Sequence, residues 1–364
     1  MDYMNIDDLE KAEEEQSFSD ESDEAPPSDV VAFNELRSCA DLYRLHNTGQ
    51  LEIQPDFQRD IVWPPSEQTR FIDSLAKQLP IPSMCISLDH KTDKRQVVDG
   101  LQRMSSIIKF LSEPDWRLSN LPDIDKRISN KTVDYIDRTL PEIYSRIENT
   151  TIPVTVLRCD LSKRSHQEYL FTIFHRLNKG GLKLTNQEIR NCIYSGAFNK
   201  LLKDIVASKT FKQLFSIDEQ KKYRFSNEEL VLRIIAFSDD HSEYRGPLSR
   251  YLNAFMSKKR NISPDARNII RKKFMDSTDV IYDKILNEES FPRLSKATIE
   301  AIYVGIIRNI DQVFNATDDQ LKNAYQALRE DPLFSIEALK EGLAATEKVK
   351  ARLDRAVELF SRYD

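Results

Sequence analysis

Glycine is scarce in this chain, eight residues in 364, and no G-x-G-x-x-G or G-x-x-x-x-G-K occurs. That excludes the common glycine-rich cradles for dinucleotides and triphosphates. Cysteine is equally sparse. Cys39, Cys85, Cys159 and Cys192 stand apart with no C-x-x-C, and they read as small buried hydrophobes in a reducing compartment rather than disulfides or zinc ligands. The histidines His46, His90, His166, His175 and His241 form neither H-x-x-x-H nor H-E-x-x-H, so no metal site is expected. No apolar run approaches the roughly 20 residues of a membrane span, and residues 1–29 lack a basic start followed by an apolar stretch. A cytoplasmic protein with no membrane partner is the expectation.

Charge is present in ordinary amount but unevenly placed. Residues 1–30 hold twelve acids against the single base Lys11, a local net of −11, which leaves the rest of the chain at +5 within the total of −6. The acidic, Ser-rich start is expected to be a disordered tail over residues 1–30. The body behind it is mildly basic. Three clusters stand out in its second half: Lys221-Lys222-Tyr223-Arg224-Phe225, Lys258-Lys259-Arg260 and Arg271-Lys272-Lys273. Each alone reads as a solvated helix face; together they suit contact with a polyanion such as DNA.

Periodicity divides the body. Pro64-Pro65-Ser66 starts a helix with Phe71, Ile72, Leu75 and Leu79 on one face, ended by Pro80 and Pro82. Met84–Leu88 and Gln96–Val98 read as strands around a polar turn, and Ile152, Val154 and Val156 alternate as a third. Met104, Ile107, Ile108 and Leu111 mark a helix, as do Leu170, Ile173, Phe174 and Leu177. Thr185–Glu188 and Ser226–Glu229 have the pattern of capping boxes, Ser263-Pro264 opens another helix, and Ser335–Tyr363 reads as one long amphipathic helix. Strand signals vanish beyond about residue 200. The fold class is therefore α+β over residues 31–200, followed by an all-helical domain over 201–364.

The strongest chemical feature is Val98-Asp99-Gly100-Leu101-Gln102-Arg103. A strand runs into an Asp-Gly turn, and a helix begins at once with Gln102 and Arg103 in its first turn. Free N–H groups, the helix dipole and a guanidinium would then converge on one point suited to an anion, with the Asp99 carboxylate beside it. A plainer reading of the same residues makes Asp99 the helix cap and Arg103 its surface partner. A second block, Phe57-Gln58-Arg59 with Val62-Trp63, would add donors at Gln58 and Arg59 and walls at Phe57 and Trp63, or else serve as core anchors and loop. A third is Phe174–Gly181, holding Asn178, Lys179, Gly180 and Gly181, joined to Glu188-Ile189-Arg190-Asn191. Adjacent glycines suit a left-handed turn or close backbone approach, or an ordinary helix end.

In this order the blocks F-Q-R-x-x-V-W, L-P-I-P, V-D-G-x-Q-R and F-x-R-L-N-K-G-G…L-T-N-x-E-I-R resemble the DUF262 family, over about residues 50–200. That family includes the N-terminal part of GmrSD-type modification-dependent restriction enzymes. The resemblance implies a ParB/sulfiredoxin-like fold in which Asp99, Gly100, Gln102 and Arg103 line a nucleotide- or DNA-phosphate site. Gln58, Arg59, Asn178, Lys179 and Arg190 are carried over as further phosphate or DNA contacts. Leu101 stands where the family has a glutamine, which removes one polar contact. Family members often continue into an HNH nuclease, but residues 201–364 offer only His241, too little for a metal-dependent centre.

The expected function follows from these pieces. It is a phage-defence enzyme acting on double-stranded DNA with modified bases, such as glucosylated or hydroxymethylated cytosine. The catalytic group comprises Asp99, Arg103 and Gln102, and poor metal ligands favour the N-glycosidic bond over the backbone. No cofactor is required on this reading. The alternative is an NTP-binding sensor that switches a separately encoded effector, with Mg²⁺ as a further cofactor if the chemistry is that of a nuclease or NTPase.

Overall fold

The computed structural model describes residues 27–53, 63–177, 185–217, 226–340 and 343–362. The acidic stretch up to residue 26 lies outside them, as do Phe57, Gln58, Arg59, Asn178, Lys179, Gly180, Gly181 and the Lys221–Phe225 cluster. The chain is mixed α and β and parts between residues 184 and 185 into two compact units.

The first unit is built on a five-stranded sheet. Its elements are β1 (Val31–Ser38), α1 (Cys39–Asn47), β2 (Leu51–Glu52), α2 (Pro65–Ala76), β3 (Met84–Asp89), β4 (Lys94–Asp99) and α3 (Leu101–Ser112), then α4 (Val133–Thr139), α5 (Pro141–Asn149), β5 (Thr151–Cys159) and α6 (Arg164–Leu177). Strand order is β1-β5-β3-β4-β2. The pairs β1/β5 and β3/β4 are antiparallel, while β5/β3 and β4/β2 are parallel. Ile152, Val154 and Val156 alternate inward on β5 as their spacing predicts, and form one core cluster with Met84 and Ile86 of β3, Ile72 and Leu75 of α2, and Met104, Ile107 and Phe110 of α3. Alternation puts one face of the sheet against these helices.

One expectation is corrected here, and one strand has no counterpart in the sequence pattern. α2 stops at Ala76, and Gln78 turns with a positive φ of 54°, so Leu79 falls past its end and is 49% exposed rather than on the apolar face. β1 carries no sequence signal because it is an edge strand without a buried apolar row.

The second unit is helical among its described residues: α7 (Asn186–Ile193), α8 (Ala197–Val206), α9 (Lys209–Leu214), α10 (Ser226–Asp240), α11 (Leu248–Lys259), α12 (Pro264–Asp279), α13 (Lys296–Arg308), α14 (Ile310–Asn315), α15 (Asp318–Glu330), α16 (Ile336–Lys340) and α17 (Thr346–Leu359). Helices α7 and α8 belong to this unit, so its first residues precede the boundary at 200 that strand content suggests. Every residue of α7 is buried, and Arg190 is tied to α10 and α11. The expected long helix at Ser335–Tyr363 is two, α16 and α17. Gly342, a poor helix former, stands in the sequence between them.

Candidate functional site

Strand β4 reaches the site through a bulge. Ile86 faces Val97 and Cys85 faces Asp99, so Val98 is an extra residue that breaks the ladder. A bulge bends the strand and re-aims the side chain after it, here Asp99. Gly100 follows with φ +97°, and a Cβ there would stand 2.7 Å from Cγ of Met84. Both the left-handed backbone and the close approach of β3 demand glycine. α3 then starts at Leu101 with no side chain capping it. The leading N–H groups of a helix have no partner within it, so this end offers donors and the positive end of the dipole.

Asp99 is therefore not the helix cap. Its Oδ2 accepts a hydrogen bond from Nη2 of Arg103 at 2.9 Å, and the carboxylate remains 36% exposed against 13% for the arginine. The other carboxylate oxygen takes no hydrogen bond among the described residues. Arg103 is occupied on its second side as well: Nη1 donates to the carbonyls of Pro82 and, at 3.2 Å, Ser83. Thus Arg103 fastens the Pro80–Ser83 connection to the Asp-Gly turn and aligns Asp99. Its role is positioning more than gripping phosphate, and the donors left to face a ligand are the helix N–H groups and the Gln102 amide.

Gln102 is tied to the residues that lead into α2. Its Oε1 accepts from the backbone N–H of Trp63 at 3.3 Å, and the Trp63 carbonyl accepts from Nε2 of Gln68 at 3.0 Å. Gln68 also accepts from Nζ of Lys109 at 3.4 Å, and Lys109 lies 4.7 Å above the Trp116 ring. Two glutamines hold Trp63 by both ends of its backbone, while its ring leans on Phe71 at 5.8 Å. Trp63 therefore borders the α3 N-terminus with its backbone rather than chiefly with its ring. Gln68 escaped the sequence reading, although it sits with Phe71, Ile72 and Leu75 on the buried face of α2. A polar residue at a core position was the available signal.

Other expected groups lie elsewhere. Arg190 is 1% exposed in the second unit, with Nε donating to Asn253 at 2.9 Å and Nη1 to Glu229 at 2.9 Å and Gln187 at 3.3 Å. Burial pushes its pKa down while the Glu229 charge opposes this. It is an internal tie, not a phosphate ligand. Of the basic clusters, Arg260 donates to the Ser195 carbonyl and Lys259 pairs with Asp239, whereas Arg271 and Lys273 are exposed. His241 is taken by Asp354 at 2.7 Å. All four cysteines are buried, and burial, then the Asp99 charge, pushes the Cys85 thiol up to about 12, so it offers no thiolate beside the turn. Among the described residues no three His, Cys, Asp or Glu side chains gather in a metal-binding group, and no helix is long and apolar enough to cross a membrane.

A strand, an Asp-Gly turn and an uncapped helix, with a paired carboxylate alongside, bring backbone N–H donors and a carboxylate together at the α3 N-terminus, an arrangement chemically able to take an anion. Residues 39–195 match the family described as GmrSD restriction endonuclease, N-terminal domain, and this part of the chain is similar to that domain. Comparison with curated proteins and with solved structures finds no match. The family matched is one of restriction-type, DNA-acting proteins of phage defence.

Proposed function

We propose that the α3 N-terminus with Asp99 is the reacting centre of an enzyme that removes modified bases from phage DNA. The observation behind this reading is the part-exposed Asp99 carboxylate, held on one oxygen by Arg103 and taking no hydrogen bond on the other among the described residues, beside an uncapped helix. In the proposed ParB/sulfiredoxin-like arrangement the helix N–H groups and Gln102 hold a backbone phosphate of the flipped nucleotide. Asp99 faces the sugar. As the C1′–N bond breaks, the base leaves with the bonding electrons, and the ionised carboxylate stabilises the oxocarbenium-like sugar. Water then bonds to C1′ and yields its proton to the carboxylate, which passes it to the departed base, leaving an abasic site, the neutral base and the ionised Asp99. Glucosylated or hydroxymethylated cytosine is the proposed base.

The test is a product assay without nucleotide. Purified protein is incubated with glucosylated, hydroxymethylated and plain DNA, and abasic sites and direct nicks are scored separately. Abasic sites in modified DNA alone are expected. Direct nicks, or no product at all, overturn the glycosidic reading.

One observation favours a second reading, in which the domain holds a nucleoside triphosphate and switches a separate effector. With Arg103 taken up inside the protein, the remaining donors are those of a helix N-terminus, which suits a free phosphate chain as well as a DNA backbone. Calorimetric titration with ATP and GTP, with and without Mg²⁺, separates the two: the glycosylase reading expects product with no nucleotide bound.

A further inference from the structure

β1 stands at the edge of the sheet and pairs with β5 along all eight of its residues. No described strand pairs with its outer edge, which leaves a row of backbone donors and acceptors open. It is also apolar for such a position. Val31, Phe33 and Leu36 are three of the eight large apolar side chains exposed among the described residues, and Leu36, at 69%, is the most exposed of them. Natural edge strands are usually shielded by lysines, prolines or bulges, because an open apolar edge recruits another strand. β1 has none of these along Val31–Ser38.

We propose that this edge pairs with β1 of a second copy of the chain, antiparallel and centred on Leu36. The charges on the strand select that occupant. Glu35 and Arg37 lie on one face, with Arg37 Nε donating to Glu35 Oε1 at 2.8 Å, and their side chains are about one-quarter exposed. A two-fold axis at Leu36 sets Glu35 opposite the second copy's Arg37, and Arg37 opposite its Glu35. Opposite charges facing across strands stabilise a pair and like charges weaken it. In the same register Phe33 is the diagonal neighbour of the second copy's Arg37, within reach for a guanidinium over its ring. On the other face Leu36 meets its own mate. The acidic segment that precedes β1 in the sequence would instead bring carboxylates to Glu35. Five paired residues, Asn34–Ser38, make a small interface, so the dimer is weak and concentration-dependent.

The proposal is independent of the chemistry assigned to Asp99. It is tested by sedimentation of the full chain over a concentration series, for wild type, Glu35→Arg, Arg37→Glu, an equimolar mixture of those two, and the double variant E35R/R37E. Wild type is expected to dimerise, and each single variant to associate about tenfold more weakly, because like charges then face twice across the axis. The mixture and the double variant restore opposite charges and regain wild-type association. A wild type that stays monomeric throughout overturns the proposal. So do single variants that associate like wild type, or a mixture and double variant that fail to recover.

Discussion

Arg103 and Arg190 both come from motif blocks and both hold a carboxylate at 2.9 Å, yet they occupy opposite kinds of surroundings. Arg103 lies at an uncapped helix end with an exposed partner, Asp99. Arg190 lies inside a helical core with Asn253, Gln187 and Glu229 around its guanidinium. The same residue type in the same kind of signature thus does two things. One arginine aligns a carboxylate at the α3 N-terminus; the other joins α7, α10 and α11. An arginine's place in a motif says that its donors are used, and burial decides whether a ligand is what uses them.

The largest effect that could break this contrast is at the buried arginine. Arg190→Ala takes from Glu229 the cation hydrogen-bonded to it and opens a cavity, and is expected to cost about 3–5 kcal/mol in urea unfolding. A loss under about 1 kcal/mol would show that Arg190 is no structural tie. Arg103→Ala should cost less, about 1.5–3 kcal/mol, through hydrogen bonds lost to Asp99 and to the Pro82 and Ser83 carbonyls. Arg103→Lys should recover little of it, since one ammonium cannot reach both sides. Full recovery by lysine would reduce Arg103 to a point charge. Gly100→Ala is expected to cost about 1–3 kcal/mol, from the positive φ and from crowding Met84. Thermal melting checks it, and an unchanged melting temperature would mean that the turn adapts.

The smallest expected effect is electrostatic, just ahead of β1. Hydrogen bonds from Lys163 and then His166 lower the pKa of Asp29 from 3.8 to about 2. A depressed carboxylate contributes stability that is full above the unfolded value and lost as pH falls through the folded one. The first unit should therefore lose part of its stability between about pH 4 and pH 2, and Asp29→Asn should flatten that part of the profile. An acid limb identical in the variant would remove Asp29 from the account.

The contrast also explains what was legible beforehand. Ile152, Val154 and Val156 announced β5 because one face of it is buried, and Asp99-Gly100 announced the strand-to-helix turn because that backbone needs glycine. β1 was silent, since an exposed edge strand has no buried row to alternate. α7 misled in the opposite sense. Asn186, Gln187, Glu188, Arg190 and Asn191 are the residue types of a solvated helix, but all are buried; Gln187 donates to Asn191, and Arg190 to Gln187, Asn253 and Glu229. Sequence pattern reports apolar burial well and polar burial poorly. The placement of Asp99 was readable; that Arg103 is bound to Pro82 and Ser83 was not, because those partners are backbone carbonyls about twenty residues away.

The central claim is that Asp99 acts chemically rather than structurally. The most direct measurement compares wild type and Asp99→Asn for melting temperature and for abasic-site formation on glucosylated DNA. The account predicts melting temperatures equivalent to within about 1 kcal/mol of stability, and a fall in abasic sites of at least about 100-fold. Abasic sites formed by Asp99→Asn at the wild-type rate would contradict it.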